Sequence, residues 1–145
     1  MAALTLTDIM TRLETVLEAA PFGLMKTKVP FTHDHQPNET LEDRYTYRDG
    51  GMVQSTSMSA MVQARIDRIE VFIARKLAFN GHAQQLALET QLVAIERAFI
   101  ADGLNEGYHV TVDGSARRVT QPRGKDLLVG SCAFLVDYDF LESVQ

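Results

Sequence analysis

The segment from Val129 to Leu141 constrains the fold of this chain more than any other part of its sequence. Its side chains alternate between two sides, and one side is mainly apolar: Cys132, Phe134, Val136, Tyr138 and Phe140. The opposite side carries Ser131, Ala133, Leu135, Asp137 and Asp139. A period of two over this length predicts a long β-strand that is buried on one face. The chain must therefore form a sheet, and other elements must cover one side of it.

A first helix is predicted over residues 5–20, where apolar residues recur at spacings of three and four. Thr5 is a suitable N-cap, and Asp8 three positions later completes a capping box. Pro21 and Gly23 then end the helix. The pattern indicates an amphipathic helix that can lie on the sheet.

A second helix is predicted over residues 82–101, ended by Asp102-Gly103, and it has two apolar stripes instead of one. The first stripe consists of Leu88, Leu92, Ile95 and Phe99, and the second, about 130° away on a helical wheel, of Leu86, Val93 and Ile100. A helix that lies on one sheet uses one stripe, so the second needs another partner. That partner is either the first helix or a neighbouring subunit.

Three further strands are predicted from alternation and from β-branched residues, over 24–31, 66–75 and 108–112. Pro30 restricts the first of them to an edge or to the end of the strand. A hairpin is predicted around the Asp49-Gly50 turn. It lies within a polar insert, residues 32–64, that begins as a loop.

These elements predict an α+β fold, in which two main helices pack on a mostly antiparallel or mixed sheet with a hairpin-containing insert. The length of 145 residues corresponds to a single domain, residues 1–145. The net charge of −5 argues against binding of duplex DNA through the field of the whole protein. The single cysteine, Cys132, excludes an internal disulfide and is typical of a reducing cytosol. We expect a soluble, intracellular protein without a signal peptide or a membrane span.

Residues that suggest chemistry are few. His33-Asp34-His35 has two imidazoles that would suit a transition metal, but four ligands are not at hand, and a solvated loop is the preferred interpretation. Cys132 falls on the apolar side of its strand and is predicted to be a core residue. His82 and His109 have no neighbours that indicate a triad, and the phosphate-binding glycine motifs are absent from the sequence. We predict no enzyme activity, no metal site and no cofactor.

A basic segment follows the strand at 108–112. It contains Arg117, Arg118, Arg123 and Lys125, four of the 14 basic residues of the chain. One interpretation is a solvated hairpin end. The other is a loop that faces an anionic surface, either the carboxylates of a partner or the phosphates of nucleic acid.

The order of elements, together with the segments Ile95–Phe99, Tyr108–Val110 and Gly130–Phe140, resembles the tail-terminator (tail-completion) proteins of long-tailed bacteriophages and related particles. The resemblance covers nearly the whole chain, and the insert at 32–64 departs from it. It implies a structural virion protein that assembles as a hexameric ring in the cytoplasm of the bacterial host. Such a ring stops polymerisation of the tail tube and meets the neck of the head.

If the chain forms this ring, Leu86, Val93 and Ile100 are candidates for the subunit interface, because a closed ring needs one surface to bind a different one. The basic segment would then face an axial partner or non-specific DNA in the channel. Two other interpretations stay open. One is another head–tail connector or neck protein, and the other is a small intracellular enzyme or ligand-binding domain.

Overall fold

The computed structural model describes residues 4–26, 44–57, 62–76, 81–121 and 127–141. It confirms the α+β class, since two helices pack against a six-stranded mixed sheet. In chain order the elements are α1 (Leu6–Glu18), β1 (Met25–Lys26), β2 (Arg44–Ser57), β3 (Val62–Lys76), α2 (Gly81–Glu106), β4 (His109–Val112), a short 3-10 helix (Gly114–Ala116), β5 (Arg118–Thr120) and β6 (Leu127–Leu141).

Helix α1 begins as the sequence predicts. The Thr5 side chain accepts a hydrogen bond from the Asp8 amide, and the Asp8 carboxylate accepts one from the Thr5 amide, which completes the capping box. Ile9, Leu13 and Leu17 are buried, so one stripe of the helix lies in the core. The N-terminus of α1 is therefore fixed by local sequence, and its position on the sheet by apolar burial.

The sheet is built around β6. The strand order is β1-β2-β3-β6-β4, and β5 also pairs with β6, on the same side as β4. β1 runs parallel to β2, and every other pairing among the described strands is antiparallel. The predicted strands at 66–75, 108–112 and 129–141 are confirmed, with somewhat different ends. Of the strand predicted over 24–31, residues 25 and 26 form β1, and 27–31 lie outside the described residues.

The hairpin turn predicted at Asp49-Gly50 is wrong. β2 continues through these residues to Ser57 and pairs antiparallel with β3, so the chain reverses after Ser57. At Asp49-Gly50 the pairing instead shifts register, the Gly51 amide donates to the Asp49 carboxylate over 2.8 Å, and Gly51 has a φ of 98°. The Asp-Gly pair therefore begins a bulge within a strand, and the left-handed residue of this bulge is the next glycine, Gly51.

Helix α2 is longer than predicted. It does not end at Asp102-Gly103 but continues to Glu106, and Gly107, with a φ of 89°, follows it. The amides of Gly107 and Tyr108 both donate to the carbonyl of Gly103, which satisfies that carbonyl at the helix end. Gly103 is buried against Tyr108, so this glycine provides space within the helix instead of ending it.

The first apolar stripe of α2 packs on the sheet, as predicted: Leu88, Leu92, Ile95 and Phe99 are all buried. The closest approach is at Gly130 of β6, where an added Cβ would lie 3.0 Å from Leu88 and 3.1 Å from Leu92. Glycine at this position lets the helix lie directly on the strand.

The proposed insert is not a separate unit. Of residues 32–64, the segments 44–57 and 62–64 belong to the main sheet as β2 and the start of β3. The remainder, including His33-Asp34-His35, lies outside the described residues.

The sheet has two different faces. Both helices contact the face that carries Cys132, Phe134, Val136 and Tyr138, and these side chains are buried. The other face, here called the open face, carries the alternate residues of the same strands. Within the described residues, the apolar cluster on it consists of Phe72, Ala74 and Val129 and contains no residue of α1 or α2.

Candidate functional site

A polar cluster ties α1 to the end of α2 on the helix side. Arg12 donates to Asp102 and lies 3.5 Å from Glu106, and the Tyr108 hydroxyl also donates to Asp102. Burial alone would raise the pKa of Asp102, but the hydrogen bonds from Arg12 and Tyr108 outweigh it and lower that pKa below its ordinary value. Arg12 and Tyr108 both donate to Asp102, and Arg12 belongs to α1, so the cluster holds the two helices together.

Arg117 forms a second polar contact with α2. Its guanidinium donates to the carboxylate of Glu96, with Nε–Oε2 3.0 Å and Nη2–Oε1 2.5 Å. The Glu96 side chain is only 4% exposed, so the arginine neutralises a carboxylate that is otherwise buried. The prediction that Arg117 lies in a solvated or partner-facing basic loop is therefore wrong, because its guanidinium forms an ion pair within the domain.

Cys132 lies in the core, as the alternation of β6 predicts. It is 1% exposed, and burial raises the pKa of its thiol to about 12. A thiol with that pKa is almost entirely protonated at neutral pH, so it is a poor nucleophile and a poor metal ligand.

A second buried group lies at the far end of the helix face. Asp67 is fully buried on β3, and the Tyr138 hydroxyl donates to it, while Arg65 Nε lies 2.9 Å from its carboxylate. Burial raises the pKa of Tyr138, and the hydrogen bond to Asp67 raises it further. These contacts join β3 to β6 inside the domain.

The open face has a basic end, formed by Arg44, Arg48 and Arg118. Arg44 and Arg48 lie on β2, and Arg118 lies on β5 beyond β6, so the arginines flank the middle strands from both sides. Arg48 pairs with Glu70 over 2.6 Å and stacks on the Phe72 ring at 5.4 Å from its centroid. Within the described part of the chain, the side chains of Arg44 and Arg118 make no ion pair.

A shallow groove of about 220 Å³ runs along this basic end. It lies between β3, β6 and the 3-10 turn, and its lining includes Phe72, Arg118 and Ser131. Phe72 and Val129 are partly exposed and pack around the buried Ala74, so an apolar strip lies between the arginines.

The open face also has an acidic end, formed by Asp137 and Asp139 near the end of β6. Asp137 is exposed and pairs through its backbone with His109 of β4, which is exposed as well. Leu135 and Ile66 lie beside these aspartates on the same face and are partly exposed. From the level of Arg118, which pairs with Ser131, to Asp137 is six residues of β6, or about 20 Å.

The second stripe of α2 is placed in three different environments. Ile100 packs against the core, Val93 is partly exposed, and Leu86 is 52% exposed. Arg12 of α1 contacts α2 at Asp102 and Glu106, near the end of that helix. Of the two partners considered for this stripe, the domain itself therefore takes Ile100, and an interface role for Leu86 and Val93 stays a prediction.

Arg123 and Lys125 lie outside the described residues, so of the basic segment only Arg117 and Arg118 are placed, and they point to different surroundings. Sequence reasoning missed Arg44 and Arg48, because it assigned them to a loop and to a turn. It did place Asp137 and Asp139 on the polar side of β6, and their shared face was the available signal.

His82 and His109 are exposed. No group of three or more potential metal ligands is present within the segments that the structure describes. Neither helix in those segments has a stretch long and apolar enough to cross a membrane. Compared with models of protein families and with curated proteins, the sequence gives no match to either.

Proposed function

We propose that this chain is a structural, non-enzymatic protein of the tail-terminator class, which assembles as a hexameric ring on a bacteriophage tail tube and joins it to the head or neck. The proposal starts from the resemblance in the order of elements. As such a protein it is assembled in the cytoplasm of the bacterial host and ends in the tail or neck of the virion. Its partners are further copies of itself, the tail-tube protein and neck proteins.

The observation that carries the proposal is the one-sided sheet. Both helices lie on one face, and the open face has at one end Arg44 and Arg118, which make no ion pair within the described residues, and at the other end Asp137 and Asp139. A ring requires two different and complementary surfaces on each subunit. The open face is one candidate surface, and the outward side of α2, where Leu86 is exposed and Val93 is partly exposed, is the other.

The groups that would otherwise suggest catalysis are engaged within the domain. Glu96 is paired with Arg117, Asp102 with Arg12, and Asp67 with Tyr138. Each of these contacts joins two elements of the fold. The described residues therefore give more support to an assembly role than to the rival interpretation of a small enzyme.

The test is to assemble phage particles in bacteria with and without this gene and to image them by electron microscopy. Without the protein we expect tail tubes longer than normal and without heads, and addition of the purified chain to such tubes should cap their ends with rings. Tubes of normal length that lack heads would instead indicate another neck protein. Normal infectious particles, or a purified chain that is monomeric in native mass spectrometry and absent from tube ends, would contradict the proposal.

A further inference from the structure

The two ends of the open face are opposite in charge, and each has partly exposed apolar residues. The basic end places Arg44, Arg48 and Arg118 around an apolar strip, and the acidic end places Asp137 and Asp139 beside Leu135 and Ile66. Sheets of neighbouring molecules commonly pack face to face at about 10 Å, which brings such side chains into contact. We propose that a second copy of this chain binds here, with the acidic end of one copy on the basic end of the next, Asp137 facing Arg118.

The distribution of charge on the open face favours a second copy of the chain over nucleic acid as its partner. Non-specific binding to a phosphate backbone needs several unpaired cations along a track. Among the described residues, the lining of the groove includes one arginine without an ion pair, Arg118, and the carboxylate of Glu70, which is already paired with Arg48. A single exposed carboxylate of another copy matches this arrangement better than a row of phosphates.

The apolar neighbours supply the contact area that the charges alone cannot. Exposed ion pairs contribute little affinity and mainly fix orientation. Phe72 and Val129 at the basic end, and Ile66 and Leu135 at the acidic end, are all partly exposed. Contact between these pairs would remove apolar surface from water while the charges set the direction of the contact.

This inference goes beyond the proposed function, because face-to-face packing reverses the open face of one copy relative to the other, as a two-fold axis does, whereas neighbours in a six-membered ring are related by a rotation of about 60°. The inference concerns the surface through which two copies bind, whereas the proposed function concerns the ring. The two statements can therefore fail separately.

The experiment compares Arg118→Glu, Asp137→Arg and the double variant in the full chain, measured by sedimentation velocity and by imaging of rings on tail tubes. Each single variant places like charges opposite each other and should weaken association at least about tenfold. The double variant restores opposite charges and should return association to within a few-fold of wild type. Glu18→Arg, which changes an exposed residue at the end of α1 by the same charge as Asp137→Arg, is the matched control and should leave association unchanged.

A double variant no better than the single ones, in a wild type that forms rings, would overturn this surface and leave the ring. A dimer that the double variant rescues, with no rings on the tail tubes, would support the surface and overturn the ring. If Arg118→Glu associates normally but its particles lose DNA, the partner of Arg118 is nucleic acid and the inference is wrong. A wild type that is monomeric both in solution and on tubes overturns the inference and the proposed function together.

Discussion

Arg117 and Arg118 are neighbours in sequence, and the strand that begins between them turns their side chains to opposite faces of the sheet. Arg117 neutralises a carboxylate that is 4% exposed, whereas Arg118 is exposed on the open face. When the partner of a buried charge is removed, the remaining charge is still desolvated but no longer neutralised, and the fold is destabilised. An exposed charge stays hydrated, so loss of its partner has little effect. Arg117 therefore contributes to the stability of the fold, and Arg118 is available for association.

We expect Arg117→Ala to lower the free energy of unfolding by about 3 kcal/mol, because it leaves Glu96 buried without a partner. Arg118→Ala is the matched control and should change it by less than about 0.5 kcal/mol. Urea denaturation of the two variants measures both values. Equal losses would show that the environments of the two arginines do not differ in the way described here.

Residue-level predictions from the sequence were most reliable where a strict period fixed the direction of a side chain. The alternation of β6 correctly placed Cys132 in the core and Asp137 on the opposite face. Arg117 was misplaced because nothing in the local sequence reveals a carboxylate 21 positions earlier. Partners far apart in the chain are brought together by the fold and carry no local pattern.

At the scale of elements, neighbouring residues of α2 lie in different surroundings, one in the core and the next toward the surface. Leu92 is fully buried against the sheet, and Val93 is partly exposed. Leu92→Ala should lower the free energy of unfolding by about 2 to 5 kcal/mol, since it leaves a cavity. Val93→Glu should have a much smaller effect on unfolding and a larger one on assembly.

Denaturant unfolding and native mass spectrometry of the same two preparations measure both properties. If Leu92→Ala and Val93→Glu destabilise the monomer equally, the division of α2 into a sheet-facing side and an outward side is wrong.

At Gly103, we expect replacement by alanine to change stability in the opposite direction to that given by helix propensity. Replacing a glycine inside a helix by alanine ordinarily stabilises it by about 0.5 to 1 kcal/mol. Here an added Cβ would lie 2.5 Å from the Tyr108 carbonyl oxygen and 3.0 Å from its ring. Gly103→Ala should therefore lower the melting temperature, which calorimetry measures, and an increase would mean that the backbone after α2 moves easily.

The boundaries of elements were predicted less well than the elements themselves. Asp-Gly pairs occur both where a chain reverses and where a strand bulges, and at Asp49-Gly50 the long pairing of β2 with β3 selects the bulge. At Asp102-Gly103 the space beside Tyr108 selects a glycine within the helix. In both cases the deciding contact is with a segment that a local pattern does not contain.

At the scale of the whole molecule, the cluster of Arg12, Asp102 and Tyr108 makes stability depend on pH. Because the pKa of Asp102 is lower in the folded state than its ordinary value of 3.8, its contribution is complete above that value and is lost as the pH falls through the folded pKa. We expect acid to weaken the fold below about pH 4.

Asp102→Asn tests this contribution. The variant should be less stable at neutral pH by about 1 to 3 kcal/mol, the usual value of a hydrogen bond to a charged group. It should also lose less stability than wild type when the pH is lowered into the range in which Asp102 of the wild type becomes protonated. Parallel pH profiles of the two proteins, measured by urea denaturation, would contradict the role given to this carboxylate.

The position of β6 in the sheet also bears on how the chain acquires its structure during synthesis. β6 pairs with β3 on one side and with β4 and β5 on the other, yet it is the last of the described elements to leave the ribosome. Until it emerges, β3 and β4 each have an unpaired edge, and the apolar residues of β3 have no neighbour on that side. The nascent chain therefore passes through a period in which its most β-prone segment is open to pairing with other chains. Chaperone demand should be highest in that interval, and it should end when residues 127–141 have been released.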